Sequence, residues 1–394
     1  MMTGKELRIG IVGLGNAGSA LLPAIAKHPH VRVTAACGRN RERLETFASD
    51  YQAEMYFSVD DMCRSPNVDA VYIASPTELH TEHVKAAAVH GKHVLVEKPM
   101  AVSLEEAREL VNIAEKHGIV MIVGHSHSFE PPIRKIREIV ESGIIGDLKM
   151  INNWYFNDWM YRPRTPDELN TALGGGVTYR QGSHQFDIIR YIGGGKLRSV
   201  RAMAGVWDAS RPTEGAHAAY LEFENGVFAT AVYNGYDHFH STELTFGIGE
   251  GGPSRLQAEY GSSRLAIRRA ANPEEEIRMK SAKGYGGSNA KKYTDQPSSQ
   301  PFFGLTIVSC EKGDIRQSPN GLYIYGEERK EEIELRDETG RDVMIQELYD
   351  ALYNDRPPVH DGRWGMANLE VCLAVLRSAK ERREIELQYQ VAIK

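Results

Sequence analysis

Up to residue 129 the chain alternates short apolar runs with stretches whose apolar residues recur at helical spacing. The runs at 7–12, 31–37, 70–74, 93–97 and 119–123 are nearly continuous in Val, Ile, Leu and Ala, as in strands buried on both faces. Between them, 82–90 and 104–116 have helical periodicity, and Ser103 followed by Glu106 forms a capping box for the second. Strands alternating with helices predict an α/β fold built on a parallel, doubly wound sheet. Such sheets take ligands beyond the carboxyl ends of their strands, so the residues after each strand are the ones to read for chemistry.

After Pro131 the texture changes. One helix over 133–142 leads into alternating runs at 150–156, 200–206, 218–223 and 227–233, with Glu224-Asn225-Gly226 as a hairpin turn between the last two. These predict a second, α+β domain with a mostly antiparallel sheet. The division expected is 1–129 and 130–394. Residues 249–302 are rich in Gly, Ser, Lys and Pro with little periodicity, and are expected to form a long loop excursion, either a lid or a surface loop. Residues 343–380 return to helix, interrupted at Arg356-Pro357-Pro358.

A length of 394 residues independently argues for two domains. The net charge of −6 gives no global reason to expect nucleic acid or membrane as a partner. No window approaches the ~18 apolar residues of a membrane span. The opening Met1-Met2-Thr3-Gly4-Lys5 has no apolar signal core, so a cytoplasmic location is expected. Four cysteines (Cys37, Cys63, Cys310 and Cys372) are scattered without a CxxC pair, which fits reduced thiols and offers no metal site.

The strongest local signal is Gly13-x-Gly15-x-x-Gly18, which follows the first strand and opens an apolar helix. In that context Gly13 permits a tight turn, and Gly15 lets backbone approach a pyrophosphate. Gly18 lets helix and strand pack closely, and the helix N-terminus, with Asn16 and Ala17, faces the phosphates. The second strand ends Cys37-Gly38-Arg39, where an NAD site usually carries an acid for the ribose hydroxyl. Arg39, with Arg41 and Arg43 nearby, suits a 2′-phosphate instead, or is a solvated helix-start residue that admits either cofactor. The cofactor reading is NAD or NADP. Ser75-Pro76-Thr77, followed by His80, forms a turn at the sheet edge where ribose or nicotinamide would lie. Glu97-Lys98-Pro99 ends another strand, so Lys98 is either functional or an ordinary surface lysine. In the second domain, Gly174-Gly175-Gly176 leads into a helix on which Arg180 and His184 share one face, with Gln181 beside them. The plainer alternative is a surface arginine beside a core histidine.

These residues, together with the tail from Arg356 to Trp364, resemble the Gfo/Idh/MocA family of nicotinamide-dependent oxidoreductases over nearly the whole chain. The resemblance implies a Rossmann domain followed by a domain with a large open sheet that commonly makes dimer or tetramer contacts. It implies that Lys98 and His184 face a substrate hydroxyl at the domain junction, with Gly13, Gly15, Asn16, Ala17, Gly18, Arg39, Ser75, Pro76, Thr77, His80, Glu97 and Lys98 along the cofactor. Many sugar and cyclitol members carry aspartate where this chain has Arg180. The stretch from Asn157 to Arg164, Tyr179 to Gly182, and Val308 to Arg316 are similar to the branch of phthalate 4,5-cis-dihydrodiol dehydrogenases. That branch is usually associated with NAD, against the lean toward NADP from Arg39.

An arginine-lined site suits a carboxylated substrate, with Arg162, Arg164, Arg180 and Gln181 as candidate ligands. For Arg162 and Arg164 a structural or pyrophosphate-facing role is an equal alternative. The expected reaction is oxidation of a secondary alcohol on a cyclic substrate, with Lys98 bonded to the alcohol oxygen and His184 accepting or relaying the proton. The best fit is the 4,5-dihydrodiol of phthalate. The alternatives are a sugar, inositol or sugar acid; a redox-neutral, NAD-assisted lyase or glycosidase; and a cofactor-sensing regulator.

Overall fold

The computed structural model describes residues 4–252, 262–270, 272–290, 299–335 and 338–394. The first part of the chain forms a six-stranded sheet, all parallel. In spatial order its strands are Glu54–Tyr56, Val31–Cys37, Leu7–Val12, Ala70–Ile73, His93–Glu97 and Met121–Gly124. Strand order reverses between Leu7–Val12 and Ala70–Ile73, which opens a crevice between their carboxyl ends. The edge strand Glu54–Tyr56 was not expected, since three residues beginning with Glu carry no periodic signal.

The second sheet has nine strands. Lys330–Glu334, Gly321–Gly326, Gly313–Ser318 and Leu305–Cys310 form one wing, and Leu148–Phe156, Phe228–Asn234, Ala216–Phe223, Leu197–Gly205 and Ile385–Glu386 continue it. Every pairing is antiparallel except Leu148–Phe156 with Phe228–Asn234. One face buries Ile151, Tyr155, Leu221, Ala231 and Val308. They pack with Phe186 and Ile189 of the helix Ser183–Gly193 and with Val371 and Val375 of the helix Gly362–Glu381. On the other face Trp154, Met203 and Tyr220 are exposed.

The tail ties the two sheets together. The helix Gly340–Tyr353 places Met344, Ile345 and Leu348 in the core of the first sheet beside Leu7, Leu22 and Ile25. The helix Gly362–Glu381 contributes Leu369 to the first domain's core and Val371 and Val375 to the second's. The excursion at 249–302 differs from expectation. Its described residues include two helices, Ser262–Arg269 and Pro273–Ser281; positions 253–261, 271 and 291–298 lie outside the described residues. Asn272 caps the second helix by accepting from the Glu275 N–H, Pro273 opens it, and three glutamates fill its first turn. Beyond it, the Tyr285 N–H donates to the Leu14 carbonyl at 3.1 Å, and the Tyr285 ring packs on Phe47 and Tyr51. Arg43 reaches the Ser281 carbonyl at 3.2 Å. The excursion therefore lies against the glycine loop of the first domain. Among the described residues no helix is long and apolar enough to cross a membrane.

Candidate active site

The glycine loop leaves the first strand at Gly13, whose φ of +90° suits a residue without a side chain. A Cβ on Gly18 would overlap the Gly13 carbonyl oxygen, whereas one on Gly15 would meet nothing within 4 Å. The open space beside Gly15 fits a pyrophosphate approaching the helix Asn16–Ala20. Two substitutions therefore separate. Gly18→Ala is expected to destabilise the fold by about 1–3 kcal/mol through overpacking. Gly15→Ala is expected to melt like the wild type but to bind dinucleotide at least ~10-fold more weakly. Thermal melts alongside nucleotide titrations check both.

Behind the loop, Glu97 accepts from the Tyr72 hydroxyl at 2.5 Å, and that hydroxyl also lies 3.2 Å from the Ala17 carbonyl. Glu97 therefore braces the loop. Ser75 Oγ pairs with His83 Nδ1 at 2.9 Å, Pro76 is exposed and Thr77 is buried. His80 is buried, with ring nitrogens 3.0 Å from the Ser75 carbonyl and 3.3 Å from the Met100 carbonyl, so it holds the turn from beneath. Burial lowers it to about 4, keeping it neutral. Arg39 is exposed at the end of the second strand.

Lys98 follows the fifth strand in sequence order at the carboxyl edge of the sheet and donates to the Arg180 carbonyl at 2.7 Å. Burial lowers its ammonium to about 8; Glu97 opposes that shift and Arg180 adds to it. Arg180 lies in a π turn, Thr178–Gly182, that precedes the regular helix Ser183–Gly193. The expected helix thus begins with an inserted wide turn, a distortion frequent at functional sites. Among the described residues the Arg180 guanidinium meets only Asp167, at 3.5 Å, and its Nε is buried without a partner. The Gln181 side-chain oxygen is also buried without a partner among the described residues.

His184 is buried, with Nδ1 unpartnered among the described residues. Burial holds it well below the usual histidine range, and Lys98 adds to the shift. Against it stands a group the sequence reading passed over. His127 meets it edge-on, with ring centroids 4.5 Å apart, and Phe303 covers both rings. His125 lies 6.5 Å from His184 by ring centroid, and both of its ring nitrogens are buried and unpartnered among the described residues. These histidines follow the strand Met121–Gly124, so the rule that drew attention to Lys98 points to them as well.

The other two arginines are committed elsewhere. Arg162 bridges Asp158 at 2.8 Å and Glu250 at 2.9 Å. Arg164 pairs with Glu168, bonds the Trp159 carbonyl and stacks on the Trp159 ring. Paired in this way they have structural work, and Arg180 keeps the most donor capacity toward the site.

A doubly wound sheet with a dinucleotide loop, its edge carrying a lysine beside a buried histidine of a second domain, defines a pyridine-nucleotide oxidoreductase. The profile of the oxidoreductase family with NAD-binding Rossmann fold, GFO_IDH_MocA, matches residues 7–125, and that of the GFO/IDH/MocA C-terminal domain matches 133–252. The chain belongs to this family and is an NAD(P)-dependent dehydrogenase. It is 38% identical, over 95% of both chains, to the 1-carboxy-3-chloro-3,4-dihydroxycyclohexa-1,5-diene dehydrogenase of Comamonas testosteroni. A solved Bordetella bronchiseptica RB50 protein described as a dehydrogenase is 40% identical, with a TM-score of 0.91 over 97% of this chain and all of that one. The WlbA dehydrogenase of Bordetella pertussis, solved with NADH and UDP-GlcNAcA, shares the fold at 20% identity and a TM-score of 0.72 over 98% of this chain and 99% of that one.

Proposed function

We propose that the chain oxidises the cis-dihydrodiol of an aromatic carboxylate to the corresponding catechol. The carrying observation is Arg180, a partly buried guanidinium beside Lys98 with a single long ion pair among the described residues. It supplies a fork for one carboxylate where a sugar site has an acceptor. The Comamonas relative, whose name describes a cyclohexadiene ring bearing both a carboxyl group and a vicinal diol, supports the same class. The phthalate 4,5-dihydrodiol is the member with two carboxylates.

The nicotinamide, when bound, accepts the hydride from the carbinol carbon. Lys98 bonds the hydroxyl oxygen, and its neutral form accepts the proton; His184 relays that proton onward. The resulting hydroxydienone enolises to an aromatic ring, which makes oxidation strongly downhill. Cofactor binding falls to residues 1–129, and substrate binding and assembly to 130–394. The exposed sheet face with Trp154, Met203 and Tyr220 suits a second copy of the chain, giving a dimer or tetramer. Four free cysteines, three of them buried, fit a reducing cytoplasm.

The test is the initial rate of reduced-nicotinamide formation with NAD⁺ and with NADP⁺. The panel is phthalate 4,5-cis-dihydrodiol, a monocarboxylated cis-dihydrodiol, an uncarboxylated one, myo-inositol, glucose and glucuronate. The highest kcat/KM is expected on the carboxylated dihydrodiols, with weaker turnover of the uncarboxylated one and none of inositol, glucose or glucuronate. Turnover of inositol or glucuronate with silence on the dihydrodiols overturns the substrate class.

A further inference from the structure

We infer that His127, aligned by Glu130, is the group that takes the proton onward from His184 and delivers it to solvent. The inference rests on the reading above, in which the substrate proton enters at Lys98 and His184. His127 Nδ1 lies 2.6 Å from Glu130 Oε1. With Nδ1–H donated to that carboxylate, the ring is held in the tautomer that leaves Nε2 as an acceptor. The ring stands edge-on to His184 at 4.5 Å between centroids, and Phe303 packs against both. His184 is buried, whereas His127 is partly exposed, so a proton moving between them moves outward.

The pair is anchored from two directions. His127 and Glu130 span the turn between the strand Met121–Gly124 and the helix Pro131–Ser142. The helix Gly340–Tyr353 closes on that turn at Gly340, where any Cβ would overlap the Ser126 carbonyl oxygen and crowd Glu130. Glu130 is buried, and its other carboxylate oxygen has no partner among the described residues. The charged and titratable groups facing the pair and His184 are Lys98, His125, Glu250 and Arg341. A buried carboxylate whose one hydrogen bond among the described residues goes to an imidazole is an orienting group, the arrangement by which a histidine is readied for proton transfer.

The balance is simple. The hydroxyl O–H and carbinol C–H bonds break, the hydride reduces NAD(P)⁺, and the remaining electron pair forms the carbonyl. One proton is left for each turnover. Lys98 takes it, and it must depart before the next cycle. His184 is held neutral by burial, so it passes the proton by receiving it on one ring nitrogen and releasing one from the other. His127 receives it and exchanges with water. His127 and Glu130 are positioning and relay residues, with no contact to substrate required.

The experiment is steady-state kinetics of His127→Ala and Glu130→Gln on a cyclic alcohol that the wild type oxidises, with and without added imidazole. His127→Ala is expected to lose kcat by about 100-fold, the lower end of the range for a positioned acid or base, with KM within twofold. Millimolar imidazole is expected to restore the rate, and substituted imidazoles to do so in order of their basicity. Glu130→Gln, which keeps shape and loses charge, is expected to lose kcat in part, with KM within twofold. An unchanged kcat in His127→Ala overturns the inference. So does a loss that no imidazole repairs in a variant melting like the wild type. If His127→Ala does not fold, an unaltered kcat in Glu130→Gln overturns it. Wild-type silence on every alcohol is a failure of the functional reading instead. In that case ¹⁵N imidazole spectra decide: a His127 Nδ1–H signal bonded to a carboxylate, lost in Glu130→Gln, supports the pair, and its absence overturns it.

Discussion

Lys98→Met is expected to lose kcat by about 10³-fold, within the range for removal of a positioned acid or base, while binding dinucleotide as the wild type does. The ammonium sits at the carboxyl edge of the parallel sheet where it meets the second domain, bonded to the Arg180 carbonyl. Methionine keeps the length and apolar stem and deletes the titrating group. The protein is not expected to melt lower, because replacing a buried charge with an apolar group of similar shape is often neutral or stabilising. The wild-type rate should carry the signature of this group. Burial brings Lys98 down to about 8, so its neutral, proton-accepting form grows as pH rises through that value. Below about 8 the rate should fall tenfold per pH unit, and above it level off. In Lys98→Met the residual rate should lack that limb. A wild-type profile flat from pH 6 to 9, or normal turnover in the variant, overturns the role.

How much of this was legible depends on how local the cause is. Parallel strands buried on both faces need continuous apolar runs, and Ile9 to Val12 or Val94 to Val96 can be read as nothing else once turn glycines flank them. The wing from Leu305 to Glu334 escaped because one of its faces is open. Arg316, Lys330, Glu331 and Glu332 on that wing dilute the alternation, although Asn320-Gly321 is a plain hairpin signal. The helix Pro273–Ser281 was written in its cap, proline and acidic first turn, and was masked by the glycines and serines around it. The site divides in the same way. Lys98 and His184 sit in motifs, but His127 and Glu130 gain meaning only from a contact with a residue in another domain. The fates of Arg162 and Arg164 were not legible at all. Their charge is visible in sequence, but Arg162's partner Glu250 lies 88 positions away, and only folding decides whether a guanidinium faces a substrate or a carboxylate of its own chain.

That distinction makes Arg180 the test of substrate class. Arg180→Gln is expected to raise KM for a carboxylated cis-dihydrodiol by about 10- to 100-fold, the loss of one to two hydrogen bonds to a charged group. KM for the uncarboxylated analogue should stay within twofold. Because Lys98 is held by the backbone carbonyl of residue 180 and not by its side chain, kcat should change far less than KM. Arg180→Lys should resemble the glutamine variant more than the wild type, since a point charge cannot reproduce a two-pronged contact. The weak contact with Asp167 predicts a further asymmetry. Asp167→Asn frees the guanidinium from its one protein partner and should lower KM for the carboxylated substrate, leaving that for the uncarboxylated one alone. Equal effects on both substrates would mean that Arg180 shapes the pocket without reading a carboxylate, and the sugar and cyclitol members would become the better guide to what this dehydrogenase oxidises.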